Sequence, residues 1–95
     1  MKLRFKFVEH GGEQGLYAYL DGGMVSSLSW DALSGTIRGV HTEPDLRRQG
    51  IATELYRKAQ DHTGGKLKHS AWRTASGDRW ARAVGGALPP LDWEA

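Results

Sequence analysis

The chain has 95 residues, enough for one small domain with a modest core and little stability to spare. With 39% hydrophobic and 25% charged residues and a net charge of +2, it reads as globular, not disordered. It is too weakly basic to argue for nucleic acid as a partner. Cysteine is absent, which excludes disulfides, thiolate metal sites and a cysteine nucleophile.

Residues 2–8 alternate strictly. Leu3, Phe5 and Phe7 fall on one face, and Lys2, Arg4 and Lys6 on the other, which predicts a strand with one wet face. The same alternation is unlike a signal peptide, and no apolar run approaches membrane-spanning length. A cytoplasmic, non-membrane protein is the expectation. His-Gly-Gly-Glu-Gln-Gly at 10–15 breaks the pattern. Residues 16–20 predict a second strand, Asp-Gly-Gly at 21–23 a turn, and 24–30 a third strand. In that strand period-2 alternation puts Met24, Ser26, Leu28 and Trp30 on one face and Val25, Ser27 and Ser29 on the other. Residues 36–42, rich in β-branched side chains, predict a fourth strand.

From Arg48 to about His62 the period changes: Ile51, Ala52, Leu55 and Ala59 recur at helical spacing, and Gly64–Gly65 closes the helix. Residues 66–72 predict a fifth strand, parallel to the fourth because a helix separates them. Residues 76–86 predict a second helix, capped by Ser76 and ended by Gly85–Gly86. A proline-stiffened tail carrying Trp93 follows. The fold class is α/β (α+β): one domain with a mixed, mainly antiparallel sheet of about five strands and two helices. Its parts are a meander over 1–42, a loop–helix–strand–helix unit over 43–88 and a tail over 89–95. The polar strand face, with Arg4, Lys6, Ser27 and Ser29, is expected to lack a covering layer. A half-wet sheet this small leaves room for a homodimer.

Residues 45–55, Asp-Leu-Arg-Arg-Gln-Gly-Ile-Ala-Thr-Glu-Leu, place two cations and a glycine where a helix begins. A helix N-terminus already carries partial positive charge and unpaired N–H groups. Arg47 and Arg48 oppose that dipole unless an anion sits between them, and phosphate is the anion such a mouth suits. Gly50 removes a side chain where a ligand must approach the backbone. The same residues also read as a solvated loop with Glu43 and Asp45 as counterions.

His41 and Glu43, two apart at the end of the fourth strand, share a face. Either can take a proton from an ammonium, and they also fit an ordinary surface pair. His69 and Ser70 either line a site or pack. Tyr56 reads as a core aromatic. Arg73, Arg79 and Arg82 with Trp72 and Trp80 read as a solvated helix face, or as a nucleic-acid surface. His10, His41, His62 and His69 show no metal-type spacing, so no metal site is expected.

Arg47-Arg48-Gln49-Gly50-Ile51-Ala52 matches the Gln/Arg-x-x-Gly-x-Gly/Ala phosphate signature of the GNAT superfamily of acetyl-CoA-dependent N-acetyltransferases, which the sequence resembles from about residue 3 to 86. The stretch 35–46 looks like the family's fourth strand and its turn, and 50–60 like the helix after it. The resemblance implies acetyl-CoA as cosubstrate. Its pyrophosphate would lie on the amides of Gln49, Gly50, Ile51, Ala52 and Thr53, helped by Arg47 and Arg48. Its pantetheine arm would pair with the strand edge near Val40 and Thr42, and a backbone N–H there would stabilise the oxyanion. Direct acetyl transfer to an amine-bearing acceptor is implied, or else a non-catalytic GNAT-like module that binds another protein. Two departures stand out. The family's helices between the first two strands are missing. The tyrosine that many members carry in the last helix falls near Ala81, beside Trp80.

Overall fold

A computed structural model of the chain describes residues 2–47, 49–71, 73–86 and 88–89. Four strands come first: β1 (Arg4–His10), β2 (Glu13–Leu20), β3 (Gly23–Asp31) and β4 (Ile37–Thr42). A 3-10 turn at Pro44–Leu46 then leads to the helices α1 (Ile51–Thr63) and α2 (Ala75–Val84). The four strands form one antiparallel sheet in sequence order.

The first hairpin is tighter than the sequence suggests. β1 and β2 pair from Arg4↔Tyr19 to His10↔Glu13, so only Gly11 and Gly12 separate them. Asp21 (φ 51°) and Gly22 (φ 85°) make the second hairpin, the left-handed pair that an Asp-Gly turn favours. The β3–β4 turn is held by Asp31. Its carboxylate accepts from the N–H groups of Leu33 and Ser34 at 3.0 and 2.8 Å and from Arg38 at 2.9 Å.

Those partners, the Ser34 N–H first and then the Arg38 guanidinium, hold the Asp31 carboxyl down at about 2, against an ordinary 3.8. The folded state therefore favours the charged form. The stabilisation is complete above the ordinary value and is lost as the pH falls toward 2. Asp31→Asn is expected to flatten the fall of urea midpoint between pH 4 and pH 2, by up to about one proton of linkage. An unchanged slope would show that the turn does not depend on this charge.

The sheet's core face carries Phe5 and Phe7 from β1, Leu16 and Ala18 from β2, Ser26, Leu28 and Trp30 from β3, and Ile37 from β4. α1 covers it with Ile51, Leu55, Tyr56 and Ala59, packing on β2, β3 and β4. Burying a side chain such as Leu28 or Leu55 contributes about 1.5–3 kcal/mol. Trp30 satisfies its indole N–H on Gln14 Oε1 at 2.9 Å. The helix begins at Ile51 rather than Arg48, and Ala52 is half-buried, outside the core. Its end is as expected: Gly64 is left-handed, and Gly65 donates to the carbonyl of Gln60 at 2.8 Å. Among the described residues no helix is long and apolar enough to cross a membrane.

Three local expectations are corrected. Met24 does not share a face with Ser26, because an irregularity in the β2–β3 register pairs Tyr19 with Met24 but Ala18 with Ser26. Among the described residues the fifth strand shrinks to one parallel bridge between Thr36 and Lys68. Ile37 donates to the Lys68 carbonyl at 2.8 Å and Lys68 to the Gly35 carbonyl at 3.0 Å. Gly35 (φ 76°) makes that approach possible, since a Cβ there would collide with the Lys66 carbonyl. The cap of α2 is Thr74, whose Oγ1 accepts from Gly77 N–H at 3.0 Å; Ser76 instead takes a bond from Arg79.

Candidate functional site

β4 is bulged, and the bulge creates the site. Ser29 pairs with Gly39, but Trp30 pairs with Ile37, so Arg38 is the extra residue. The register then continues as Leu28↔Val40 and Ser26↔Thr42 on the core face, with Ser27↔His41 on the opposite one. Glu43 N–H bonds the Val25 carbonyl at 2.8 Å. Antiparallel pairs alternate between bonded and non-bonded, so Gly39 and His41 bond inward to β3. The main-chain groups of Val40 and Thr42 therefore face the outer edge of the sheet. Consistent with this, the Thr42 carbonyl accepts from Arg47 Nε at 3.2 Å.

That outer edge borders a cleft of about 250 Å³. Below the cleft the Thr36–Lys68 bridge ties β4 to the 66–70 segment, and above it the two chains part. The next two residues also reach other segments. His69, 2% exposed, has Nε2 at 2.8 Å from the Gly85 carbonyl, and the Ser70 carbonyl takes a short bond from Arg73 Nη1. Ile37 and Val40 line one wall, and His69, Ser70, Thr74 and Trp80 the other.

Arg73 fastens that second wall. Its side chain is 5% exposed and pairs with Asp78 at 3.0 Å, and Nη1 also reaches the Pro89 carbonyl at 2.9 Å. Arg82 bonds the other oxygen of Asp78 at 2.8 Å. Arg82 first, then Arg73, hold the Asp78 carboxyl below its ordinary value. The expected basic patch is thus only partly offset: two of its three arginines share one carboxylate. Trp72 and Trp93 lie outside the described residues.

At one end of the free edge α1 opens without a side-chain cap from Gly50 (φ 78°, ψ 10°). The first intrahelical bond at this end runs from Glu54 N–H to the Gly50 carbonyl, so the N–H groups of Ile51, Ala52 and Thr53 have no partner within the helix. Among the described residues, its chain neighbours aside, nothing lies within 4 Å of where a Gly50 Cβ would stand. That space is open to a ligand, and Gln49, Gly50 and Arg47 are exposed around it. Arg48 lies outside the described residues.

The remaining candidates separate. His41 and Glu43 are together, Nε2 to Oε1 3.7 Å, each about half exposed. They sit on the sheet face opposite α1, not in the cleft. Tyr56 is core: buried, stacked on His69 at 5.3 Å between ring centroids, its hydroxyl taking a bond from Gln60 at 2.8 Å. Trp80 stands edge-on to both rings. Its Nε1 is buried with no hydrogen-bond partner among the described residues, and Ala81 is fully buried. Neither offers an acidic proton to the cleft. The tie through Arg73 was missed in the sequence, because Arg73–Asp78 is not a helical spacing within one element. The bulge had a signal, an isolated glycine inside a strand pattern.

Residues 3–84 match the acetyltransferase (GNAT) family. Among solved structures the chain is similar to an aminoglycoside acetyltransferase from an uncultured soil metagenomic sample. The TM-score is 0.70 at 19% identity, over 92% of this chain and 67% of that one. It is also similar to a ribosomal-protein-alanine N-acetyltransferase from Brucella melitensis biovar Abortus 2308, with a TM-score of 0.63 at 20% identity, over 88% of this chain and 67% of that one. At these identities the likeness is one of fold, and this chain spans about two thirds of each (67%). No curated protein matches the sequence.

Proposed function

Because this chain belongs to the acetyltransferase (GNAT) family, we propose that it binds acetyl-CoA along the outer edge of β4 and at the mouth of α1, and passes the acetyl group directly to an amine. The observation that carries this reading is the bulged strand. It turns the Val40 and Thr42 main-chain groups toward a cleft, in line with an uncapped helix mouth. The amides of Gln49, Gly50, Ile51, Ala52 and Thr53 would receive the diphosphate, with Arg47 and Arg48 adding charge. Val40 N–H would bond the thioester carbonyl as it becomes an oxyanion.

The acceptor nitrogen must arrive neutral. His41, with Glu43 beside it, is the proposed proton acceptor, directly or through water. The nitrogen would then attack the acetyl carbon, the carbon–sulfur bond would break, and coenzyme A would leave as thiolate while the nitrogen gives up its second proton to water. The thiolate would take its proton from water, directly or through Ser70 in the cleft wall. Calorimetry with acetyl-CoA tests the reading, and absence of binding at millimolar ligand would remove it. Arg47→Ala should weaken binding about 10-fold, the scale of one hydrogen bond to a charged group, and reduce its salt dependence. Unchanged affinity would move the diphosphate elsewhere.

A second reading, a non-catalytic module that binds a partner protein, is favoured by Ala81 and the sequestered Trp80 Nε1. Thiol release from acetyl-CoA with a panel of amines separates the two: release supports the enzyme, while binding without release supports the module.

A further inference from the structure

The sheet face opposite α1 carries a cross-strand row from β4 to β1: His41, Ser27, Tyr17 and Lys6, each in register with the next. Arg4 and Tyr19 pair in the row beside it. Arg4, Lys6 and His41 are exposed, and Tyr17, Tyr19 and Ser27 half-buried, so this face is open to a partner. The Tyr17 ring lies across Gly15, its Cε1 3.1 Å from where a Gly15 Cβ would stand. A tyrosine laid down on a glycine offers a flat apolar surface in the middle of the row.

The charges at the two ends differ in sign. Glu43 stands with His41 at the β4 end. At the β1 end Arg4 and Lys6 have no ion pair among the described residues. The other carboxylates of this face do not offset them. Asp31 is held by Arg38, Glu13 lies four residues along β2 from Tyr17, about 13 Å away, and the one negative charge of Asp21, two residues past Tyr19, is matched by Lys2, two residues before Arg4, which leaves Arg4 and Lys6 in excess. A surface acidic at one end and basic at the other is complementary to a molecule with an ammonium at one end and an anion at the other.

We propose that this face seats the acceptor, and that the acceptor is the amino terminus of an acidic peptide chain. This rests on the reading of the cleft as an acetyl-transfer site. The amine lies by His41 and Gly39, the chain crosses Tyr17, and a carboxylate side chain meets Lys6 and Arg4. Three interstrand steps from β4 to β1 span about 14 Å. An extended peptide covers that in about four residues at 3.3–3.6 Å each, so the carboxylate belongs near the fourth position. Polycationic amines would meet Arg4 and Lys6 with the wrong sign. Single-stranded nucleic acid fits the tyrosines and cations but carries no amine to the Glu43 end.

The test uses the whole chain and two peptides with free amino termini that differ only at residue four, Asp or Lys. Wild type should acetylate the Asp peptide at least ~10-fold more efficiently in kcat/KM, mostly through KM, and lose that preference at high salt. The double variant Arg4→Glu, Lys6→Glu should reverse the preference while its acetyl-CoA affinity, read by calorimetry, stays at the wild-type value. Equal rates with both peptides, a preference for polyamines, or a variant that keeps the wild-type preference would overturn the proposal. So would tighter anisotropy-detected binding of single-stranded oligonucleotide than of the Asp peptide. A wild-type protein that binds no acetyl-CoA overturns the functional reading instead. Binding of a labelled Asp peptide, lost in the variant, would then support the docking surface alone, and no such binding would overturn it too.

Discussion

Replacing Gly50 by asparagine is expected to weaken acetyl-CoA binding about 100-fold while leaving the thermal midpoint close to that of the parent. Gly50 sits in the left-handed region at φ 78°, which asparagine tolerates better than other side chains. Among the described residues none beyond its chain neighbours stands within 4 Å of the new Cβ, so the fold accepts the change. The side chain would instead fill the open space in front of the α1 amides. Two hydrogen bonds to a charged diphosphate, at about 1.5–3 kcal/mol each, make 100-fold a moderate expectation. Gly50→Val separates the two causes. A β-branched residue in this conformation costs about 1–2 kcal/mol or more, so the midpoint should fall by roughly 4–16 °C along with the affinity. Calorimetry and a melt on each variant read both quantities. Full affinity in the asparagine variant would mean that the mouth of α1 holds no phosphate.

Val40→Pro should lower kcat about 10²–10³-fold, the usual cost of removing an oxyanion donor, with less than about a 10-fold change in acetyl-CoA affinity. The reasoning depends on the bulge. Val40 is 40% exposed and its N–H points to the free edge, so proline deletes a donor the β3–β4 ladder does not use, and an edge position admits it. His41→Pro is the contrasting control. His41 bonds inward opposite Ser27, so proline there breaks the ladder and should cost stability first. Turnover unaffected by Val40→Pro, in a variant that still melts cooperatively, would assign the oxyanion to another donor.

Both predictions concern backbone groups, and backbone groups divide what was legible in the sequence from what was not. The motif at 47–52 could be read directly, because a glycine among cations at a helix start constrains its surroundings locally. The core stripe of Ile51, Leu55 and Ala59 was equally plain. The strand faces were only half legible. Period-2 reading works until a bulge inserts a residue, and then every later side chain changes face. That is why Met24 was assigned to the wrong side, and why the nearness of Val40 to the cleft could be expected but not its cause. His41 and Glu43 were paired correctly as neighbours, but which face they occupy relative to the cleft depends on the same bulge.

The sequence by itself determined the order of the first four strands and α1, the polar and apolar faces of β1, the turns at Asp21–Gly22 and Gly64–Gly65, and the glycine at the helix mouth. Each follows from interactions among residues a few positions apart. Only the tertiary structure decided that the 66–70 segment meets β4, among the described residues, at a single bridge, and that Arg73 ties Ser70, Asp78 and Pro89 into the far wall. Only there, too, do opposite charges stand at the two ends of one open row. These pairings join segments up to some 35 residues apart (Lys6 and His41 are the extreme, with Tyr17 and Ser27 between them). Their energies depend on how whole elements pack, which local propensity does not encode.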